Sequence, residues 1–206
     1  MSTYYKEKDM KTKAKRIKEN IGEAEYKRLM NHIRGDESVT KNTKLNLART
    51  FVILYFTGLR INELQELRLF NIKELLNNGT TKLILPKTNS ERKLFAVDAF
   101  KKELSKVFDI DKSTDLQIKV ITKGSSKNKH TGIHPLVFIA QVNKTIKEIL
   151  GNGYTSHSFR QGLITEMGSK GINTKIISKF IGHSDVKTTM RYINPTDEDL
   201  KGAMIR

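Results

Sequence analysis

The sequence predicts an α+β fold that is mainly helical and includes a small antiparallel β-sheet of two to three strands. Two observations lead to this prediction. Along most of the chain, apolar residues recur three and four positions apart, which is the spacing of one buried helix face. Between residues 77 and 97 that period is lost, and a turn signal, Asn77-Asn78-Gly79, precedes two short strand-like runs.

The N-terminal part is predicted to be a basic arm followed by three helices. Residues 1–20 are rich in lysine and poor in apolar side chains, which indicates a flexible arm or the remnant of a linker. Residues 21–206 then form one domain. The first helix is predicted over 23–33. A second begins after Thr40 and ends at Gly58, and a short third runs from 61 to 67.

The sheet and the remaining helices follow in order. Strands are predicted at 82–86 and 93–97, with 88–91 linking them as a hairpin. Further helices are predicted over 98–108, 135–150, 158–170 and 173–181, with two short ones around 186–193 and 196–204. The chain contains no internal repeat and no extended low-complexity tract.

The charge of the chain predicts a polyanionic partner. Its 38 Lys+Arg residues outnumber its 22 Asp+Glu residues, which gives a net charge of +16 and a pI of about 9.9. Nucleic acid is the partner that such a balance favours, because phosphate contacts dominate its binding. The alternative is a lysine-rich surface that is merely solvated.

Other features exclude whole classes of protein. The chain has no cysteine, so it forms neither disulfides nor thiolate metal sites. Its longest apolar run, 51–56, is far shorter than the ~20 residues that span a bilayer. The N-terminus is charged rather than an apolar signal segment. We therefore expect a cytoplasmic, nucleoid-associated protein without membrane contact.

Two upstream motifs offer candidate phosphate ligands. Arg60 lies two residues after a helix-ending glycine, Gly58, so its planar fork can face a phosphate near the start of the next helix, and Glu63 on the same face can hold it. The alternative is an ordinary surface Arg–Glu pair. Lys87, at the tip of the hairpin, can donate a proton to a leaving group. Considered alone, Lys87 is more simply interpreted as a solvated lysine of the hairpin.

Two downstream motifs add an activated tyrosine. His157 and Arg160 are three residues apart, which places an imidazole and a guanidinium on one helix face. His183 and Tyr192 follow across a tight turn and a short helix. A phenol, whose free pKa is about 10, needs such neighbours to attack anything at neutral pH. The alternatives are that Tyr192 is a packed aromatic with a solvent-exposed hydroxyl and that His183 is a helix-capping histidine.

A metal site is a weaker interpretation. His130 and His134 are four residues apart, but Gly132 and Pro135 argue against a helix there, and no carboxylate lies nearby. The sequence also contains no glycine-rich nucleotide loop.

Taken together and in this order, the motifs resemble the catalytic domain of the tyrosine recombinases, the family of phage integrases and Xer-type resolvases. The resemblance spans about residues 23–194 and rests on T-G-L-R-I-N-E-L, P-K-T-N-S-E-R, S-H-S-F-R and G-H-S-D-V-K-T-T-M-R-Y. Each motif is weak or moderate alone, but the ordered set is highly specific. It implies that residues 21–206 are a tyrosine recombinase catalytic domain.

The resemblance implies site-specific DNA recombination through a covalent intermediate. Tyr192 would attack a scissile DNA phosphate, form a 3′-phosphotyrosyl link and free a 5′-hydroxyl. Arg60 and Arg160 would clamp the non-bridging oxygens and stabilise the transition state. The outcome would be integration, excision, inversion or resolution of DNA.

The remaining roles follow from the same resemblance. Lys87 would protonate the leaving oxygen, and His157 would take the tyrosine proton. His183 would hydrogen-bond the phosphate, while Glu63 would orient the first arginine and the imidazole. Because the phosphotyrosine conserves the bond energy, no ATP is needed. Cationic side chains replace a metal, so the expected cofactor set is empty.

The implied partner is double-stranded DNA. Strand exchange uses four active sites on two duplexes, which implies a homotetramer on DNA and a monomer off DNA. Accessory DNA-bending proteins fit the same activity. Residues 197–204 are expected to form a C-terminal helix that docks into a neighbouring subunit.

Two departures from the family pattern stand out. Many relatives have a second histidine after the H-x-x-R arginine, where this chain has Gln161. Most also have a helical core-binding domain before the catalytic domain, where about twenty basic residues stand here. The chain is then either a small single-domain recombinase or a catalytic fragment. Two other functions stay open: a DNA-binding regulator without catalysis, and a topoisomerase that nicks and rejoins without site choice.

Overall fold

The computed structural model describes residues 19–85, 90–110, 115–123, 132–183, 185–193, 197 and 201. Within these residues the chain forms nine helices and two strands, in an order that matches most of the predicted elements. They are α1 (Glu23–Gly35), α2 (Lys41–Thr57), α3 (Ile61–Leu64), α4 (Leu69–Asn78), β1 (Thr80–Ile84), β2 (Glu91–Phe95), α5 (Asp98–Val107), α6 (Pro135–Leu150), α7 (Ser156–Ser169), α8 (Thr174–Ile181) and α9 (Val186–Met190).

The core is built around α2. Phe51, Val52 and Leu54 of this helix are fully buried, and α2 packs against α1, α3, α5 and α7. A helix that is apolar on nearly all sides needs neighbours on all sides, which is what these contacts provide. Neither α2 nor any other helix in the described part of the chain combines the length and apolar content that a membrane span requires.

The sheet is a single antiparallel pair of strands. Thr80 lies opposite Phe95, and Ile84 lies opposite Glu91. Both strands begin two residues before their predicted starts. An even offset keeps each side chain on its predicted face, because successive residues of a strand point to opposite sides. The inner face of β2 therefore contains Arg92 and Leu94, both buried.

The sequence did not predict α4. This helix begins after Arg68 and ends at Gly79, which has a left-handed backbone with φ of 70°. The sequence correctly predicts a turn at this glycine, but the turn both ends a helix and precedes a strand. The third helix is also shorter than predicted, since it ends at Leu64. Apart from residues 197 and 201, the predicted helix over 196–204 lies outside the described residues.

Residues 19–21 pack along α7. The backbone N–H of Ile21 donates to the carbonyl of Ser158 at 3.1 Å, and the Ile21 side chain is buried. Gly162, one turn further along α7, makes this approach possible because a β-carbon there would overlap the carbonyl of Ile21. The chain therefore enters the domain directly against the helix that contains His157 and Arg160.

Candidate active site

Arg160 is a buried charge held at the centre of the site. Its side chain is fully inaccessible, and its Nη1 donates to the carbonyl oxygen of Gly58 at 2.8 Å. Gly58 ends α2 with a left-handed φ of 58°, and a β-carbon there would lie 2.8 Å from Cδ1 of Ile181. Glycine is therefore required both for the backbone conformation and for the close packing that presents this carbonyl.

Glu63 joins two further arginines. Its Oε1 accepts from Nη1 of Arg60 at 2.7 Å, and its Oε2 accepts from the backbone N–H of Arg60 at 2.9 Å. Oε2 also accepts from Nη1 of Arg92 at 3.1 Å. The carboxylate is buried, whereas the Arg60 side chain is 48% exposed. The guanidinium of Arg60 is therefore anchored on one side and accessible on the other.

His157 and Tyr192 meet at the edge of this cluster. Nε2 of His157 lies 3.5 Å from the hydroxyl of Tyr192. His157 lies in the first turn of α7, where its backbone N–H donates to the capping Thr155 hydroxyl. The half-buried ring of Tyr192 packs on a small apolar cluster between α7 and α8 that includes Ile164 and Ile177. The tyrosine is thus a packed aromatic whose hydroxyl faces an imidazole.

His183 is held in one tautomer by its two neighbours. Nε of Arg160 can only donate, so Nε2 of His183 accepts from it, at 3.4 Å. Its Nδ1 then carries the proton and donates to Oγ1 of Thr189 at 2.8 Å. Burial, together with the nearby charges of Arg160 and Arg60, lowers the pKa of His183 to about 4. The imidazole is therefore neutral at physiological pH.

Positive charge exceeds negative charge in this cluster. The guanidinium groups of Arg60 and Arg92 both pair with the carboxylate of Glu63, whereas that of Arg160 donates to the carbonyl of Gly58. Burial and the other two arginines lower the pKa of Arg160 to about 9, which still leaves it charged at neutral pH. Its Nη2 is buried and has no hydrogen-bond partner among the described residues. Such an arrangement favours an anion at this point.

The structure brings together most of the residues that the sequence singled out as candidates. They are Arg60, Glu63, His157, Arg160, His183 and Tyr192. Lys87 lies outside the described residues. Glu63 was expected to orient an arginine and the imidazole, and the partners that its carboxylate contacts here are Arg60 and Arg92.

Arg92 is a site residue that sequence reasoning missed. It lies within the hairpin motif but received no role, because one arginine among many basic residues gives no signal by itself. The alternation of the strand could have revealed it. Arg92 is two residues from Leu94, so both side chains point to the same face of β2, and that face is buried. A buried charge needs a partner, and Glu63 is that partner.

The described residues contain no group of three or more histidines, cysteines or carboxylates arranged to hold a metal ion. His134 precedes α6 as its N-cap, and Gly132 has a left-handed φ of 70°. His134 therefore lies before the helix begins, as the glycine and proline indicated. His130 lies outside the described residues.

Residues 19–199 match the sequence model of the phage integrase family. The chain belongs to this family. The match confirms the resemblance inferred from the ordered motifs and covers every candidate site residue, from Arg60 to Tyr192.

Known relatives of this phage integrase family member include Xer recombinases. The chain is 28% identical over 169 residues to tyrosine recombinase XerC of Treponema denticola, an alignment covering 75% of this chain and 53% of the relative. It is 24% identical over 215 residues to tyrosine recombinase XerA of Pyrococcus furiosus, covering 100% and 71% respectively. The chain spans about half the length of the curated relatives it matches.

Solved structures confirm the fold class. The crystal structure of XerA recombinase superposes with a TM-score of 0.66 at 18% identity, covering 94% of this chain and 64% of that one. XerH site-specific recombinase bound to a palindromic difH substrate superposes with a TM-score of 0.65 at 18% identity, covering 91% and 52%. The predicted mainly helical domain with a small antiparallel sheet is therefore the phage integrase family fold.

Proposed function

We propose that this protein is a tyrosine-type site-specific DNA recombinase. One observation carries the proposal: the hydroxyl of Tyr192 lies 3.5 Å from Nε2 of His157, beside a cluster of arginines with excess positive charge. A nucleophile beside a base and an anion site is the arrangement that phosphoryl transfer needs. A protein that only bound DNA would have no use for this pairing.

The proposed reaction is a transesterification. Oη of Tyr192 attacks the scissile phosphorus while its proton passes to Nε2 of His157. The bond from phosphorus to the 5′-oxygen breaks, and a 3′-phosphotyrosyl link forms. The leaving oxygen takes a proton from Lys87, a role that rests on the sequence motif alone. A 5′-hydroxyl of another strand then attacks the link and releases Tyr192, so no cofactor or energy source is consumed.

The arginine cluster is the proposed phosphate site. The exposed side of Arg60 and the unpartnered Nη2 of Arg160 are the donors proposed for the two non-bridging oxygens. Because Nη2 is buried here, the side chains that cover it must move when the phosphate binds. Neutral His183 donates a hydrogen bond from Nδ1 to Thr189 and accepts one at Nε2 from Nε of Arg160. In this arrangement it acts on the phosphate indirectly, by holding Arg160. Reaching the phosphate itself would require the imidazole to exchange one of these partners.

Double-stranded DNA is the proposed partner. The net charge of +16 supports a polyanion. Several structural neighbours were solved on DNA, among them XerH on difH and a lambda integrase dimer on a COC′ core site. By the same reasoning we expect a tetramer during synapsis and a monomer off DNA, with accessory DNA-bending proteins as further candidates. Such an enzyme would work at the nucleoid.

Residues 21–206 are the proposed catalytic domain, preceded by a basic arm over residues 1–20. The family model begins at residue 19, and the packing of Ile21 on α7 supports a domain start close to this point.

Covalent adduct formation tests the proposal. The DNA that flanks the gene is searched for inverted or direct repeats, and nicked suicide duplexes are built on them. The wild-type protein is expected to form an adduct that survives denaturation and moves with labelled DNA. Tyr192→Phe is expected to form none, because it lacks the attacking oxygen.

Tyr154→Phe is the matched control, since it also loses one hydroxyl, from a part-buried ring outside the cluster. It should retain adduct formation. An adduct with Tyr192→Phe would mean that another residue is the nucleophile. DNA binding with no adduct on any candidate duplex would favour the regulator, and relaxation of supercoils without site preference would favour the topoisomerase.

A further inference from the structure

Arg92 contacts three elements that adjoin the site: α3, the end of α2 and the end of α8. Its side chain is only 4% exposed, although it lies on a two-stranded sheet. Its Nη1 donates to Oε2 of Glu63 at 3.1 Å, and its Nη2 donates to the carbonyl of Thr57 at 2.7 Å. Its aliphatic part lies against Gly182, where a β-carbon would be 3.2 Å from Cδ of Arg92.

Each residue that Arg92 contacts either bonds to a proposed phosphate ligand or is the sequence neighbour of a residue that does. Glu63 holds Arg60 through its side chain and its backbone. Thr57 precedes Gly58, whose carbonyl holds Arg160. Gly182 precedes the histidine that accepts from Arg160. No other buried side chain among the described residues bonds both to Glu63 and to the carbonyl before Gly58.

The fork shape of arginine suits this task. Two different nitrogens of one rigid, planar group reach two acceptors on separate helices, so the distance between those acceptors is set by the guanidinium itself. Lysine has one nitrogen on a flexible stem and cannot set that distance in the same way. A charge alone would balance Glu63, but it would not fix the position of α3 relative to the end of α2.

We infer that Arg92 is a positioning residue for the phosphate site: it holds the Glu63 carboxylate and the end of α2 so that Arg60 and Arg160 face the same phosphate. This inference rests on the proposed recombinase function. Arg92 itself is buried beneath the cluster and does not reach the DNA. It also ties β2 to the residues that hold the arginine pair.

The test compares DNA cleavage with DNA binding in Arg92→Lys. Single-turnover adduct formation on suicide duplexes is expected to slow by at least tenfold, because Arg60 and Arg160 no longer share one geometry. The Kd for an uncleaved duplex is expected to change by less than threefold, since Arg92 makes no DNA contact. Both are measured where circular dichroism shows the variant to be folded. A general loss of structure would slow cleavage and raise the Kd together.

Arg49→Lys is the matched control. Arg49 is a part-buried arginine on α2, bonded to the carbonyls of Val107 and Val120, and burial lowers its pKa to about 10, the same value as for Arg92. It lies outside the cluster. Arg49→Lys is expected to cleave within threefold of the wild type when folded. Equal slowing in the two variants would overturn the inference.

A double-mutant cycle shows whether Arg92 acts through Glu63. In a Glu63→Gln background, the fold-reduction in cleavage rate caused by Arg92→Lys should be at least five times smaller than in the wild type. The reason is that the main partner of Arg92 has already been altered. Equal costs in the two backgrounds would overturn the inference. Should Arg92→Lys fail to fold, Glu63→Gln/Arg92→Met replaces it, because this pair removes the buried charges at both positions together. It should then cleave within threefold of Glu63→Gln alone; a further tenfold loss would mean that Arg92 acts independently of Glu63.

These outcomes separate the two proposals. A wild-type protein that forms no adduct contradicts the proposed function. A wild-type protein that does form the adduct, with Arg92→Lys cleaving at the same rate, contradicts only the role of Arg92.

Discussion

The hydroxyl of Tyr192 lies 3.5 Å from Nε2 of His157, although the two residues are 35 positions apart in the chain. His157 is placed by the capped first turn of α7, and Tyr192 is placed by the packing of its ring between α7 and α8. The distance exceeds that of a strong hydrogen bond. Hydrogen bonds of this kind often tighten only when substrate is bound. In the proposed reaction, the pairing would tighten to a hydrogen bond when DNA binds.

Replacing His157 should slow cleavage in a pH-dependent way. His157→Ala is expected to lower the single-turnover rate of adduct formation by about 10²–10⁴-fold at pH 7, which is the usual contribution of a general base. The deficit should narrow at high pH, because solvent hydroxide can then remove the phenol proton in place of the missing base. The measurement is the cleavage rate between pH 6 and 9.5. His32→Ala, an exposed histidine on α1, should behave as the wild type. A deficit that stays constant with pH would argue for a purely structural role.

The pH dependence of stability should report the buried environment of His183. Its folded pKa is about 4, below the ordinary value of 6.5. Between these values the unfolded chain binds a proton that the folded chain does not. The free energy of unfolding therefore falls as the pH falls from about 6.5 to 4, and this contribution is fully retained above pH 6.5.

His183→Asn removes this titration, so its stability should fall less steeply over the same pH window than that of the wild type. Urea midpoints at pH 4.5, 5.5 and 7 measure the slope. Parallel curves for the wild type and His183→Asn would show that the imidazole titrates normally in the folded protein.

Two glycines in helices should respond oppositely to alanine. Gly162→Ala places a β-carbon against the carbonyl of Ile21, so either residues 19–21 or α7 must shift. We expect a loss of about 1–3 kcal/mol in the free energy of unfolding, the usual cost of overpacking. Gly35→Ala, at the end of α1, meets no atom within 4 Å and should leave stability unchanged or raise it by about 0.5 kcal/mol. Both are measured by urea denaturation. A neutral Gly162→Ala would mean that residues 19–21 separate from α7 at little cost.

Much of the fold could be predicted because its signals are local. The bounds of α6 coincide with the predicted 135–150, and Gly58 ends α2 as expected, since a glycine is the residue that takes the left-handed conformation there. The missed helix α4 shows the limit of such signals. Gly79 ends that helix and opens β1 at once, so one turn signal served two elements.

The candidate site could be predicted as a set of residues but not as an arrangement. The order of the motifs pointed to Arg60, Glu63, His157, Arg160, His183 and Tyr192. The sequence by itself determined the chemical types and the family. Only the tertiary structure decided that the carbonyl of Gly58 meets Arg160, 102 residues away, and that Arg92 enters the core to meet Glu63. The reason is physical: a local pattern sets the conformation of a segment, whereas the partner of a buried charge depends on which segments pack together.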